Sequence, residues 1–185
     1  ALDETSSAAE VAALLLAFGI ERASVADLAA PAPELPSPHL RASGGGAIVN
    51  VASLAGRVPL DHEATYTASK FGLRGFSFAM AEELAGSGIT VSVVSPGPIE
   101  TGFILNEIAD VPDIVFSQPM ATADEVARAI VTSLEDGRRE RVMNFASGLL
   151  AHVAYLAPSI RAALKPSLEA KGRRAKQRYL AATRK

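Results

Sequence analysis

The chain has 185 residues, of which 49% are hydrophobic and 21% are charged, and its formal net charge at pH 7 is −2. These values are typical of a soluble globular protein with one domain and a sizeable core. A net charge this close to zero gives no overall attraction to nucleic acid. Because the chain has no cysteine, disulfides and cysteine-ligated metal sites are excluded, and we predict no metal site.

The sequence also lacks the usual signals for export or membrane insertion. No N-terminal segment has a basic start followed by an apolar core, so a secretory signal is not expected. No apolar run reaches the roughly 18 residues that a membrane-spanning helix needs. We therefore predict a cytoplasmic protein.

Residues 1–46 are predicted to form a divergent head that ends in a proline- and glycine-rich connection. Ser6 and Ser7 precede an alanine- and leucine-rich run that ends at Gly19, which indicates a short capped helix. Four prolines between Pro31 and Pro38 forbid a continuous helix in the stretch that follows. An irregular connection is therefore expected before the next element.

A strand, a helix and a second strand are predicted next, within a segment 47–147 that forms the central part of the protein. The apolar runs Ala47–Val51 and Ile89–Val94 favour strands that are buried on both faces. Between them, Ala64–Leu84 favours a helix, although Gly72 and Gly75 weaken its propensity. This order is typical of a parallel βαβ unit and predicts an α/β fold.

The candidate chemistry lies in this unit. Tyr66 and Lys70 are four residues apart, so on a helix they share one face. A free phenol has a pKa of about 10, but a nearby ammonium favours the phenolate, which can exchange a proton with a substrate oxygen. Ser53 ends its strand at the sheet edge where ligands bind, and could donate to the same oxygen. His62 is better explained as a loop residue. A Tyr–Lys pair alone also occurs by chance in helices, so the prediction depends on this context.

The rest of the central segment is predicted to be scaffold. Thr101–Ala109 is expected to form a short helix, and Asp110–Pro119 a loop. Thr122 and Glu125 have the spacing of a capping box, which predicts a helix that begins there and ends at Gly137. A last strand is predicted over Glu140–Phe145. The predicted inner face of the helix consists of Val126, Ile130, Val131 and Leu134.

The C-terminal segment, residues 148–185, combines an apolar helix with a basic tail. Pro158 interrupts the apolar helix. From Arg161 onward the chain carries nine of its 18 lysines and arginines but only one acidic residue, Glu169. Such a segment can contact an anionic membrane surface, although a solvated terminal helix is the alternative that we favour. Aromatic residues are not interleaved with the cations, which argues against nucleic acid.

Three motifs resemble those of the short-chain dehydrogenases/reductases. They are Asn50-Val51-Ala52-Ser53, Tyr66-Thr67-Ala68-Ser69-Lys70 and Pro96-Gly97-Pro98-Ile99-Glu100-Thr101. The resemblance implies a Rossmann-like, doubly wound parallel sheet, with residues 47–147 as the catalytic half of that domain. It also implies an NAD(P)-dependent oxidoreductase that interconverts a carbonyl and an alcohol by hydride transfer. It does not discriminate NAD from NADP. An apolar small-molecule substrate and a homo-oligomer are also expected.

The same resemblance assigns roles to individual residues. Tyr66 would be the acid/base, and Ser53 would hold the reacting oxygen. Lys70 would support the phenolate and, together with Tyr66, bind the cofactor at its nicotinamide ribose. The nicotinamide carboxamide would be lined by the turn residues Pro96, Gly97, Ile99 and Thr101.

Parts of the family pattern are missing from the sequence. There is no glycine-rich G-x-x-x-G-x-G loop and no Asn-Asn-Ala-Gly strand, and Asp3 is only a weak match to the family's adenine-contacting Asp. We therefore expect an incomplete fold that lacks its first strands, as in a shortened or internally deleted member. The alternative is a catalytically inactive remnant that acts as an interaction or scaffold protein. A hydrolase using Ser53 is disfavoured because no G-x-S-x-G motif is present.

Overall fold

The computed structural model describes residues 37–105, 108–109 and 111–183. The predicted helix that ends at Gly19, most of the proline-rich connection and the candidate Asp3 lie outside these residues. The chain divides into two compact units between Gly44 and Gly45. In the described part of the first unit, helix α1 (Ser37–Ala42) is followed by a turn in which the Ser43 amide donates to the His39 carbonyl.

The second unit contains three strands and five helices within the described residues. The strands are β1 (Gly46–Val51), β2 (Ile89–Ser95) and β3 (Glu140–Val142). The helices are α2 (Ala64–Glu83), α3 (Gly102–Leu105), α4 (Ala123–Asp136), α5 (Phe145–Leu156) and α6 (Pro158–Thr183). Two short 3₁₀ turns cover Leu54–Gly56 and Asp113–Ser117.

The strands form one parallel sheet in the order β1–β2–β3. The pairing of β1 with β2 runs from Gly46 opposite Ile89 to Val51 opposite Val94. The central strand is the most buried element, since the side chains of Val93 and Val94 are fully enclosed. The predicted strands and the parallel α/β fold are confirmed, and the described sheet corresponds to an incomplete Rossmann-like fold.

Helices α2 and α4 cover opposite faces of this sheet. Asn50 on β1 donates from Nδ2 to the Ser77 hydroxyl of α2, and Asn50 pairs with Val93 of β2. The neighbouring residue Ser92 donates from its hydroxyl to the Ser133 carbonyl of α4. Because successive residues of a strand point to opposite faces, the two helices lie on opposite sides. The sheet is therefore covered in the doubly wound manner.

The ends of α4 agree with the prediction, but its orientation does not. The Thr122 hydroxyl accepts from the Glu125 amide, and the Glu125 carboxylate accepts from the Thr122 amide, as a capping box requires. The helix ends at Gly137 with φ of 60°. The predicted inner face was wrong for Val131 and Leu134, which are 52% and 45% exposed. The small Ser133 lies against the sheet instead, where its hydroxyl and carbonyl are both hydrogen-bonded.

Two other predicted elements are corrected. The last strand ends at Val142, not at Phe145, because the Asn144 side chain accepts from the Ser147 amide and starts α5. The segment Asp110–Pro119 is not wholly a loop, since it contains the second 3₁₀ turn. The interruption at Pro158 is confirmed: this proline is the first residue of α6, where a missing amide hydrogen is tolerated.

The second half of α6 packs closely on the 3₁₀ turn at Asp113–Ser117. A Cβ atom at Gly172 would overlap the carbonyl oxygen of Asp113, so the contact requires glycine. Lys176 donates from Nζ to the carbonyls of Ala109 and Val111, at 2.7 Å each. These contacts hold the segment after β2 against the C-terminal helix.

Among the described residues, no helix has the length and apolarity needed to cross a membrane.

Candidate active site

Ser53 lies just beyond the carboxyl end of β1 and begins the first 3₁₀ turn. Its hydroxyl oxygen accepts a hydrogen bond from the Ala55 amide at 3.1 Å. The turn is attached to the neighbouring strand end, because the Leu54 amide donates to the Pro96 carbonyl at 2.8 Å. With the Ala55 amide fixed on one lone pair, the hydroxyl hydrogen of Ser53 remains available for a ligand oxygen.

Tyr66 and Lys70 occupy one face of the first turns of α2. The Lys70 ammonium lies 5.6 Å from the centroid of the Tyr66 ring and donates to the Val51 carbonyl at 3.4 Å. Burial lowers the pKa of Lys70 below its ordinary value of 10.5. Tyr66 itself is 36% exposed. The cation is thus held between the end of β1 and the phenol ring, while the phenol remains accessible.

An unpaired acceptor, the side chain of Gln118, lies close to the turn after β2. Residues 98–100 are held by backbone hydrogen bonds to Ala121, which pair Ile99 with Ala121. The Gln118 side-chain oxygen Oε1 is buried and has no hydrogen-bond partner among the described residues. It would lie 3.8 Å from a Cβ atom at Gly97. A ligand that donates a hydrogen bond at this point would satisfy it.

These residues surround one cavity of about 460 Å³. Among the predicted site residues, its lining includes Ser53, Tyr66, Gly97, Ile99 and Thr101. Two predicted residues do not line it: Pro96, which is buried, and Lys70, which contacts the Tyr66 ring. The walls are mainly apolar, with contributions from Leu54, Val58, Leu60, Ile104, Val115, Leu150, Leu164 and Leu168.

A charged cluster closes one side of this cavity. Arg161 of α6 donates to the Asp61 carboxylate at 2.8 Å and to the Pro59 carbonyl at 3.0 Å. Lys165 also pairs with Asp61, and its hydrogen bond is the main reason that the pKa of this carboxyl is lowered. The pairs attach α6 to the loop before Tyr66. His62 lies in that loop with φ of 63°, as a loop residue, and does not line the cavity.

Behind the candidate site lies an ionic cluster that the sequence did not predict. Glu140 accepts from Arg57 at 3.1 Å, from the Ser95 hydroxyl at 3.0 Å and twice from Arg74 at 2.9 Å. Burial alone would raise the pKa of Glu140, but Arg74 and Arg57 outweigh it and hold that pKa below its usual value. Arg74 follows Lys70 by one helical turn, which was the only sequence signal for this arrangement.

Comparisons with known proteins find a family and relatives that match part of this chain. Residues 34–111 match the family model of the short chain dehydrogenases. Ketoacyl reductase HetN of Nostoc sp. is 35% identical over 108 residues, which are 58% of this chain and 37% of that protein. Acetoacetyl-CoA reductase of Allochromatium vinosum is 40% identical over 91 residues, 47% of this chain and 37% of that protein. The chain spans less than half the length of these curated relatives.

A solved structure gives the same result for the fold. A short chain dehydrogenase from Burkholderia cenocepacia, in complex with NADP, matches with a TM-score of 0.59 and 28% identity. The match covers 91% of this chain and 61% of that protein. Fold and motifs together define a Rossmann-like α/β protein with its candidate site at the carboxyl edge of a parallel sheet. The matched part of the chain is similar to the short-chain dehydrogenases/reductases.

Proposed function

We propose that this chain is an NAD(P)-dependent oxidoreductase that interconverts a carbonyl and an alcohol, with Tyr66 as the acid/base. One observation carries the proposal. Ser53 and Tyr66 come from different elements and line one cavity together with Gly97, Ile99 and Thr101. The match of residues 34–111 to the family model and the similarity to a short chain dehydrogenase solved with NADP add support.

The described residues fit the nicotinamide end of such a cofactor. The cavity places the unpaired Gln118 oxygen near Gly97, where a donor such as a carboxamide NH₂ would satisfy it. Lys70 lies beside Tyr66 with its ammonium unpaired by any carboxylate of the described residues, so it is free to donate to a ribose hydroxyl. When bound, the nicotinamide would supply or accept the hydride.

The protein's own residues would manage the proton and the substrate oxygen. Ser53 would donate its hydroxyl hydrogen to that oxygen and fix its position. In reduction, Tyr66 would give its phenolic proton to the same oxygen; in oxidation, it would take the proton back. The positive charge of Lys70 would stabilise the phenolate in both directions.

The cavity walls favour a small apolar substrate. Its lining is largely aliphatic, and its two cations, Arg161 and Lys165, are already paired with Asp61. An anionic substrate would therefore find no unpaired cation among the described lining residues. Apolar ketones, aldehydes or secondary alcohols are the compounds to test first.

A homo-oligomer is also part of the proposal, through the outer face of α2. Gly72 and Gly75 are exposed, and a Cβ atom at either would meet no atom within 4 Å. Packing within the described chain therefore does not explain these glycines, which weaken the helix. Close approach of a second helix would explain these glycines. Sedimentation velocity of the Gly72→Leu variant tests this interface: the variant should be monomeric. A variant that forms the same oligomer as the unmodified chain would exclude this face of α2.

The function is tested by Tyr66→Phe, with Tyr155→Phe as its matched control. Tyr155 is exposed on α5, with its ring 5.5 Å from that of Phe71, and it does not line the cavity. Reduction of a panel of apolar carbonyls is followed by loss of NADPH or NADH absorbance. Tyr66→Phe should lower turnover by about 100-fold or more, as loss of an acid/base does, and Tyr155→Phe should not.

Two outcomes would contradict the proposal. Turnover retained in a folded Tyr66→Phe protein would remove Tyr66 from the mechanism. Absence of both turnover and cofactor binding in the folded unmodified chain would support the inactive interaction protein instead. Circular dichroism of all the proteins shows whether they are folded.

A further inference from the structure

Helix α5 presents an apolar face that nothing in the described chain covers. Phe145, Leu149 and Leu156 follow one another at helical spacing, and they are 83%, 52% and 68% exposed. No lysine, arginine, aspartate or glutamate occurs between Phe145 and Ile160, and the exposed His152 lies on the same face between Leu149 and Leu156. Large apolar side chains exposed together on one helix face mark a contact site on a protein exterior.

Helix α6, which follows α5 directly in the chain and packs against it, carries positive charge on an exposed face. Ile160, Lys171, Arg174 and Arg178 lie on one face, because their spacings of 11, 3 and 4 residues are close to whole helical turns. All four are exposed. The three cations form no ion pair with a described residue, whereas Lys165, Arg173 and Lys176 of the same helix are paired. The exposed face thus carries uncompensated positive charge.

From this combination we infer that α5 and α6 form a docking surface for an anionic phospholipid membrane. Lipid headgroups would attract the free cations, and the apolar side chains of α5 would enter the boundary between headgroups and acyl chains. A nucleic acid would account for the cations but not for Phe145, Leu149 and Leu156. A second copy of this chain would bring like charges together. The membrane surface is the partner that satisfies both parts of the face.

The inference is independent of the proposed catalytic function and is tested on the full chain by cosedimentation with lipid vesicles. One set of vesicles is phosphatidylcholine alone, and the other contains one quarter phosphatidylglycerol. The protein should bind the anionic vesicles, bind the neutral ones much more weakly, and dissociate as salt is raised. Circular dichroism and thermal unfolding confirm that each variant below is folded.

Two double variants, each with a matched control, separate the charged and apolar contributions. The double variant Arg174→Glu with Arg178→Glu should weaken binding by about thirtyfold or more, because each cation lost near the membrane surface removes roughly 1 kcal/mol of binding free energy. Its control, Arg128→Glu with Arg138→Glu, makes the same charge change at exposed sites in and just after α4 and should bind like the unmodified chain. Leu149→Ser with Leu156→Ser should weaken binding by about tenfold. Its control is Val131→Ser with Leu134→Ser, at exposed apolar sites on α4.

The inference would be overturned if the unmodified chain did not bind anionic vesicles, or if a control variant weakened binding as much as its test variant. It would also be overturned if a duplex DNA probe bound through Arg174 and Arg178 while the vesicles did not bind. If the chain did not bind vesicles but formed a dimer in sedimentation velocity, and Leu149→Ser with Leu156→Ser dissociated that dimer, the face would be assigned to a second copy.

Discussion

Arg74 of α2 binds both carboxylate oxygens of Glu140 of β3, with Nε donating to Oε1 and Nη2 to Oε2, each at 2.9 Å. Arg74 lies on the same side of the helix as Tyr66 and Lys70, two turns beyond Tyr66 and one turn beyond Lys70. The pair therefore fixes the orientation of the face that carries the candidate acid/base. Arg57 and Ser95 complete the coordination of Glu140, so this carboxylate connects α2 to three other parts of the site scaffold.

Glu140→Gln is predicted to be strongly destabilising. The Glu140 side chain is only 11% exposed, and its loss of charge would leave the partly buried Arg57 and Arg74 without a counterion. The cost should approach the roughly 3–5 kcal/mol of breaking a fully buried ion pair. Glu82→Gln removes an exposed pair with Arg139 and should cost no more than about 1 kcal/mol. Urea denaturation measures both; equal losses would show that the Glu140 cluster does not stabilise the fold.

The same cluster predicts acid sensitivity. The folded-state pKa of Glu140 is depressed, so its contribution is present above the unfolded value of about 4.5 and is lost as pH falls through the lower folded value. The free energy of unfolding should therefore decrease below about pH 4.5. Asp61 adds to the decrease in the unmodified chain. Glu140→Gln should show a shallower decrease, and an identical pH dependence in the two proteins would contradict the assignment.

Gly172 and Gly72 make a matched pair of helical glycines with opposite predictions. At Gly172 an added Cβ would overlap the Asp113 carbonyl, so Gly172→Ala should separate α6 from the 3₁₀ turn and destabilise the protein. At Gly72 the added atom meets no atom of this chain, so Gly72→Ala should gain about 0.8–1 kcal/mol from helix propensity at protein concentrations where the chain is monomeric. Thermal unfolding measures both. Stabilisation by Gly172→Ala would contradict the close packing.

Much of the fold was predictable because its signals are local. Apolar runs located β1 and β2, the capping box of Thr122 and Glu125 located the start of α4, and Pro158 located the start of α6. The prediction that the last strand extends to Phe145 was wrong, because Asn144 caps the start of a helix there. This cap is a local signal, but it is easily missed. Val131 and Leu134 were predicted to face inward because apolar residues usually do, yet the small Ser133 occupies the contact.

The site was predictable only where motifs are contiguous in sequence. Tyr66 and Lys70 are one helical turn apart, and Ser53 follows a recognisable strand. Glu140 is 66 residues from Arg74 and 83 from Arg57, so no local pattern connects them. Gln118 likewise reaches the cavity from a distant turn. Such contacts arise from the tertiary fold.

Ser53→Ala is predicted to affect both stability and turnover. The alanine loses the acceptor for the Ala55 amide, which costs about 1 kcal/mol, and also the proposed donor to the substrate oxygen. Asn144→Ala loses a comparable cap at α5, outside the cavity lining, and should cost similar stability without lowering kcat. Steady-state kinetics and thermal unfolding together separate the two effects. Equal kcat losses in the two variants would indicate that Ser53 acts only as a cap.

The most direct test of the proposed function is a fluorescence titration of the full chain with NADPH and with NADH. We predict saturable binding with a micromolar Kd, which corresponds to a binding free energy on the order of −8 kcal/mol. Lys70→Met should weaken this binding, because it removes the proposed ribose donor, while Lys171→Met, on the exposed face of α6, should leave it unchanged. A chain that is folded by circular dichroism and shows no saturable binding of either cofactor would contradict the proposed oxidoreductase.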